Sequence, residues 1–222
     1  MIELAETHTI GSAFGGNRVV PVVVLDDPAR AVLLGNAIVR GGVTVAEVTL
    51  RTPQALSVLR AMTGCEGLTV GAGSVTHTVD VDAVVDVGGQ FIVSPGFSPQ
   101  VALRASELAM PYLPGCVTAT DIMAAQRSGI RVVKFFPAEA AGGVEMIRAL
   151  AAPFPSVRFV PTGGITSASA ASYLSEPSVF AVGGSWMVPN RAIAEGAWDE
   201  ITRLCQRAVE YARSATMGRR DG

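Results

Sequence analysis

The stretch VAEVTLRTPQALSVLRAMTGCEGLTVG, residues 45–71, contains one full unit of the chain's organisation. Val45–Leu50 is β-branched and apolar around one acid, which suits a strand buried on both faces of a parallel sheet. Pro53–Met62 has the length and periodicity of an amphipathic helix, and Leu68–Gly71 starts the next strand.

The same alternation extends in both directions, from residue 19 to about residue 185. The other expected strands are Val19–Leu25, Phe91–Val93, Tyr112–Leu113, Arg131–Phe136, Arg158–Val160 and Val179–Val182. Expected helices cover Pro28–Arg40, Asp80–Val87, Pro99–Glu107, Ala119–Ser128 and Gly143–Leu150. Gly-Gly at 41–42, 88–89 and 142–143 and Ser-Gly at 128–129 supply the turns. Eight strands leave roughly 20 residues per strand-and-helix unit, a tight fit that a closed (β/α)8 TIM barrel meets best, since it covers every strand and leaves no edge. An open doubly wound sheet is the alternative. The expected organisation is a short N-terminal leader and a single domain over 1–213, ending in a helix at Ile193–Arg213, with a polar disordered tail at 214–222.

Composition narrows the function classes. The 222 residues are 49% hydrophobic and 16% charged with a net charge of -2, so a packed core is expected and disorder is not. A pI near 5.7, from 17 basic and 19 acidic residues, argues against a nucleic-acid partner. No apolar run approaches the roughly 20 residues of a membrane span. The opening MIELAETHTI lacks the basic and apolar regions of a secretory signal. Cys65, Cys116 and Cys205 are odd in number and widely spaced, as in a reducing, cytoplasmic compartment.

Only one of the 17 basic residues is lysine, Lys134, and the other 16 are arginine. In IRVVKFFP, residues 130–137, it lies near the carboxyl end of an apolar strand, where barrel sites are built. Burial favours an uncharged amine, and an uncharged amine attacks carbonyl carbon, so one reading is a Schiff-base lysine. The other is a lysine that snorkels to the rim or forms a structural ion pair. Glu47 lies inside another apolar strand and shares a face with Thr49 and Arg51 by the two-residue period. A buried carboxylate needs a partner, and Lys134 would serve. As chemistry, the two supply a nucleophile and an acid/base, and the forked donors of Arg51 suit a carboxylate.

Small polar and glycine-rich turns close other strands: GAGS (71–74, with Ser74), SPG (94–96), PTGG (161–164) and GGS (183–185, with Ser185). Turns after the last two strands are where barrels often hold phosphate on backbone N–H groups, although Gly-Gly is also ordinary turn chemistry. His8 and His77 are the only histidines, and no constellation suggests a metal. Their scarcity also disfavours a Ser-His-Asp hydrolase.

Taken in order, GGVTVAEVTLRT, VGAGSV, FIVSPG, KFFPAE, PTGGI and VGGSWMVP resemble the KDPG/4-hydroxy-2-oxoglutarate aldolase family (KDPG is 2-keto-3-deoxy-6-phosphogluconate) over about residues 18–210. The resemblance implies a (β/α)8 barrel, a cytoplasmic homotrimer, and a class I aldolase that needs neither cofactor nor metal. Such a lyase serves Entner–Doudoroff carbohydrate metabolism. It makes Lys134 the Schiff-base lysine, Glu47 the general acid/base and Arg51 the residue that holds the pyruvate carboxylate. Ser74 stands where many members have threonine; Pro95 and Phe136 would line the pyruvate pocket. Thr162, Gly163, Gly164 and Ser185 would contact the distal hydroxyl and phosphate end, and Arg18 is carried over as a further substrate contact. The substrate implied is a small, phosphorylated 2-keto acid.

Two rival readings are a phosphate-binding epimerase or isomerase, which would need paired acids or metal ligands at strand ends, and a non-catalytic barrel that binds a metabolite. The latter keeps Arg51 and the glycine turns but has no need of an amine at Lys134.

Overall fold

Valine-rich runs without a polar face become strands in the structure, a computed structural model that describes residues 9–217. The strands are β1 (Val19–Val23), β2 (Val45–Thr49), β3 (Thr69–Gly73), β4 (Ile92–Val93), β5 (Tyr112–Leu113), β6 (Gly115–Cys116), β7 (Val132–Phe135), β8 (Arg158–Pro161) and β9 (Val182–Gly184). All pair in parallel, in a curled six-stranded sheet of order β5-β4-β3-β2-β1-β9 and a three-stranded sheet β6-β7-β8. The order is sequential, without the reversal of a doubly wound sheet, and the last strand lies beside the first. Only Pro114 separates β5 from β6, and its carbonyl accepts the Lys134 N–H at 2.8 Å. Isolated parallel bridges join Phe159 to Val179 and Thr162 to Gly183.

The helices are α1 (Ile10–Phe14), α2 (Pro28–Arg40), α3 (Ala55–Thr63), α4 (Thr78–Asp86), α5 (Pro99–Glu107), α6 (Ala119–Arg127), α7 (Gly143–Ala151), α8 (Ala170–Leu174), α9 (Asn190–Glu195) and α10 (Trp198–Met217). Their starts are written locally. Asp27 accepts the Ala29 N–H at 3.0 Å just ahead of Pro28, and Thr118 with Asp121 forms a capping box on α6. Together these elements give an α/β fold with one apolar core between sheet and helices.

Several elements differ from the sequence reading. The region ahead of β1 contains α1, capped by Thr9 and Ser12; its Phe14 packs edge-on against Phe91 at 5.6 Å between ring centroids. The expected leader reaches into residues 1–8, which lie outside the described residues. The expected last helix is two helices, because Gly196 ends α9 in the left-handed conformation at φ 67°. Helix α10 runs on to Met217, past the expected end at 213, and residues 218–222 of the expected tail lie outside the described residues. No helix among the described residues is long and apolar enough to cross a membrane.

Candidate active site

Lys134 and Glu47 are each the third residue of a strand, β7 and β2, and each is charged in an otherwise apolar setting. Their side chains meet across the interior: Nζ of Lys134 lies 3.3 Å from Oε1 of Glu47, and the two residues are 6% and 4% exposed. An isolated charge at this depth would carry a large desolvation penalty, so each group requires the other. The pair also links the three-stranded sheet to the six-stranded one.

The neighbours of this pair are small where it needs room. Glu47 is paired in register with Gly71, and Thr49 with Gly73. A Cβ on Gly73 would lie 2.0 Å from Oε1 of Glu47, so the carboxylate occupies space that any other residue at 73 would fill. Lys134 is in register with Gly115, where a Cβ would lie 2.0 Å from the Pro95 carbonyl oxygen, so the glycine makes room for the turn that carries Pro95. Thr49, also buried, donates its hydroxyl to the Val23 carbonyl at 3.1 Å, which ties β2 to β1. The ring of Phe136 lies with its centroid 5.2 Å from Nζ of Lys134, within cation–π range.

Because all strands are parallel, their carboxyl ends gather most of the residues singled out from sequence. Arg51 follows β2, is exposed, and its guanidinium has no partner among the described residues. Ser74 directly follows β3 at φ 64°, a conformation that aims the chain sharply away from the strand. Pro95 follows β4, and Phe136 follows β7 half-buried. Thr162 is buried beyond β8 and is bridged to Gly183, with Gly163 and Gly164 next at φ 102° and 79°. Ser185 follows β9 and is exposed.

Arg18 is not brought to this cluster. It precedes β1, at the amino ends of the strands, and its guanidinium donates to the carbonyls of Leu174 at 2.9 Å and Val179 at 3.2 Å. A substrate contact for Arg18 is therefore dropped: the side chain is spent on the carbonyls that end α8 and precede β9, at the opposite end. His77 caps α4 from an exposed position, its N–H donating to Oδ2 of Asp80 at 2.9 Å, while His8 lies outside the described residues. Among the described residues no group of three or more His, Cys, Asp or Glu side chains is placed to hold a metal ion.

Two polar pairs near the strand ends went unread in the sequence. The hydroxyl of Ser94 lies 2.6 Å from that of Tyr112, and it donates to the Gly96 carbonyl at 2.5 Å, bracing the turn that carries Pro95. Burial pushes the Tyr112 phenol up, partly offset by its bond to Ser94. Tyr173 of α8 donates to Oε1 of Glu139 at 2.9 Å. Glu139 stood in the quoted KFFPAE motif, but nothing local pointed to a tyrosine 34 residues on.

Taken together, the site offers a buried amine, a carboxylate 3.3 Å from it, a free guanidinium after β2 and glycine pairs at the carboxyl ends of β8 and β9. The family model for KDPG and KHG aldolase matches residues 10–204. The KHG/KDPG aldolase of Escherichia coli (strain K12) is 43% identical over 196 residues, covering 88% of this chain and 92% of that protein. A KDPG aldolase from Legionella pneumophila, solved with pyruvate captured at low pH as a covalent carbinolamine intermediate, superposes with a TM-score of 0.86 at 38% identity, covering 89% of this chain and 97% of the other. The KDPG aldolase of Zymomonas mobilis ZM4, solved with 3-phosphoglycerate, gives 0.84 at 41% identity, covering 89% and 93%.

Proposed function

The chain belongs to the KDPG and KHG aldolase family, and from that premise we propose that Lys134 is the amine on which its carbonyl chemistry runs. The enzyme is a metal-independent class I aldolase that cleaves KDPG to pyruvate and glyceraldehyde 3-phosphate. It also acts on 4-hydroxy-2-oxoglutarate, releasing pyruvate and glyoxylate. The observation that carries the assignment of Lys134 is its buried contact with Glu47 at 3.3 Å.

In the proposed sequence, the carboxylate of Glu47 takes a proton from the Lys134 ammonium. The freed amine attacks the C2 ketone, Glu47 returns its proton to the carbinolamine hydroxyl, and that oxygen leaves as water, restoring the carboxylate and leaving an iminium that can accept electrons. Glu47, again as a base, removes the proton of the C4 hydroxyl; the C3–C4 bond breaks, its electron pair enters the iminium, and the aldehyde leaves. Protonation of the enamine and hydrolysis then release pyruvate and restore Lys134. Arg51 is proposed to hold the keto-acid carboxylate through its unpartnered donors, beside Ser74, Pro95 and Phe136. Thr162, Gly163, Gly164 and Ser185 are assigned the distal hydroxyl and phosphate. The bound pyruvate of the Legionella enzyme and the 3-phosphoglycerate of the Zymomonas enzyme support those two halves of the assignment.

The finer architecture proposed is a closed (β/α)8 barrel forming one domain. The bridges from β8 to the β9 segment and the near-continuity of β5 and β6 through Pro114 support closure. A cytoplasmic homotrimer is proposed as well. Exposed Val79, Leu103 and Met123, on the successive helices α4, α5 and α6, offer apolar surface for it.

Incubation with pyruvate and borohydride, followed by intact-protein and peptide mass measurement, tests the assignment. One pyruvate-derived adduct on Lys134 is the expected result. An unaltered mass overturns it and leaves the chain as a metabolite-binding barrel.

A further inference from the structure

Tyr173 is buried in the short helix α8, and its hydroxyl donates to the carboxylate of Glu139, 2.9 Å away. Glu139 lies five residues beyond Lys134 on the loop that leaves β7, and is itself exposed. That loop runs in a backbone ladder beside the turn after β8: the Ala138 N–H donates to the Thr162 carbonyl at 2.9 Å and the Glu139 N–H to the Gly163 carbonyl at 3.1 Å.

The side chain of Glu139 is also pressed against that turn. A Cβ on Gly164 would lie 2.8 Å from both Cβ and Cγ of Glu139, so glycine at 164 is what lets the acid lie there. Helix α8 is held in turn, because Glu176 just beyond it accepts from Arg148 of α7 at 2.5 Å. The Tyr173–Glu139 bond therefore clamps the loop after β7 and the turn after β8 to a fixed helix. It touches neither Lys134 nor Glu47.

We infer that Tyr173 and Glu139 are a positioning pair that holds the 162–164 turn in shape and sets the preference for a substrate carrying phosphate at its far end. The inference rests on the assignment of that turn to the phosphate end made above. Two physical effects combine. The clamp fixes the turn, whose backbone groups can bind an anion only while they converge. It also commits the Glu139 carboxylate to a phenol donor; in Tyr173→Phe, which keeps that anion and frees it, the carboxylate beside this turn would repel a phosphate as well. Burial and the adjoining carboxylate hold the Tyr173 phenol well above its ordinary range, so it remains a donor at any pH the enzyme meets.

The test compares steady-state cleavage of KDPG and of unphosphorylated 4-hydroxy-2-oxoglutarate, together with solvent exchange of the pyruvate methyl protons, in the wild type, Tyr173→Phe, Glu139→Ala and Glu139→Gln. Tyr173→Phe and Glu139→Ala are expected to raise KM for KDPG roughly tenfold, the scale of one hydrogen bond to a charged group. Their kcat, their turnover of the unphosphorylated substrate and their pyruvate exchange should stay within about twofold of wild type. Glu139→Gln keeps an acceptor for the phenol and is expected to retain the wild-type KM. Equal losses on both substrates, or no change on either, overturn the inference while leaving the aldolase assignment standing. A wild-type protein that neither exchanges pyruvate protons nor cleaves either substrate overturns the aldolase reading itself.

Discussion

Gly73 and Glu47 compete for one volume: a Cβ at residue 73 would sit 2.0 Å from Oε1 and 2.6 Å from Cδ of Glu47. The glycine is thus part of how the carboxylate reaches Lys134. Its backbone is ordinary strand, absent from the positive-φ positions, so the restriction is one of space alone. Gly73→Ala is expected to displace Glu47 from the amine and lower kcat by about a hundredfold, the scale of losing a general base. The overpacking should cost roughly 1–3 kcal/mol of stability. Steady-state kinetics with a thermal melt checks both, and unaltered kcat in a folded Gly73→Ala protein would show that Glu47 does not need its present position.

Lys134→Arg keeps the positive charge and loses the nucleophile, since a guanidinium does not deprotonate in a protein. Turnover should vanish and borohydride trapping with it. Retained cleavage in this variant would remove Lys134 from the chemistry.

Glu47→Gln preserves shape and hydrogen bonding but cannot take a proton. Cleavage should slow by about a hundredfold or more, with pyruvate still trapped on Lys134 after longer incubation. Should trapping disappear outright, Glu47 is indispensable for forming the imine, a step it is otherwise expected only to speed. Glu47→Leu should be harsher on folding, costing roughly 3–5 kcal/mol because it leaves the lysine buried without a partner.

Arg51→Ala removes the free guanidinium at the rim. KM for KDPG and for 4-hydroxy-2-oxoglutarate should rise together, by roughly ten- to a hundredfold, because both end in the same keto-acid carboxylate. A rise confined to the phosphorylated substrate would move Arg51 to the other end of the ligand.

Burial pushes the Cys116 thiol of β6 up to about 12, with a smaller push from the charge of Asp121, and burial alone does the same to Cys205 of α10. The folded chain keeps protons here that the unfolded chain releases near 9.0. Stability from these groups is therefore full below about pH 9 and is lost as pH rises toward the folded values. Melting temperatures should fall on that alkaline limb, and less steeply in a Cys116→Ala/Cys205→Ala double variant. Identical limbs in the two proteins would count against the shifts.

The parts of this molecule that were legible in the sequence are those set by neighbours along the chain. Helices α2 and α5 run from Pro28 to Arg40 and from Pro99 to Glu107, as read from their prolines and periodicity. Lys134 and Glu47 stood out because each is a charge inside an apolar strand, which left a reactive pair and a structural ion pair as the readings to separate. Helices α1 and α8, five residues each, are too short to show a period and owe their form to packing, as Phe14 does against Phe91. Strand β6 was hidden by Pro114, which interrupts the apolar run without turning the chain away. Arg18 was carried over from the family resemblance alone, and its place ahead of β1 puts it at the amino ends of the strands, on the carbonyls of Leu174 and Val179. Tyr173 and Glu139 meet only through the fold, so neither carried a signal of its own.

The arginine bias described at the outset gives the protein an unusual spectroscopic property. Growth on lysine enriched with nitrogen-15 at the side-chain nitrogen would place the whole label at one atom, Nζ of Lys134. Its single resonance would then follow amine, carbinolamine, imine and enamine in turn, with no surface lysine contributing background.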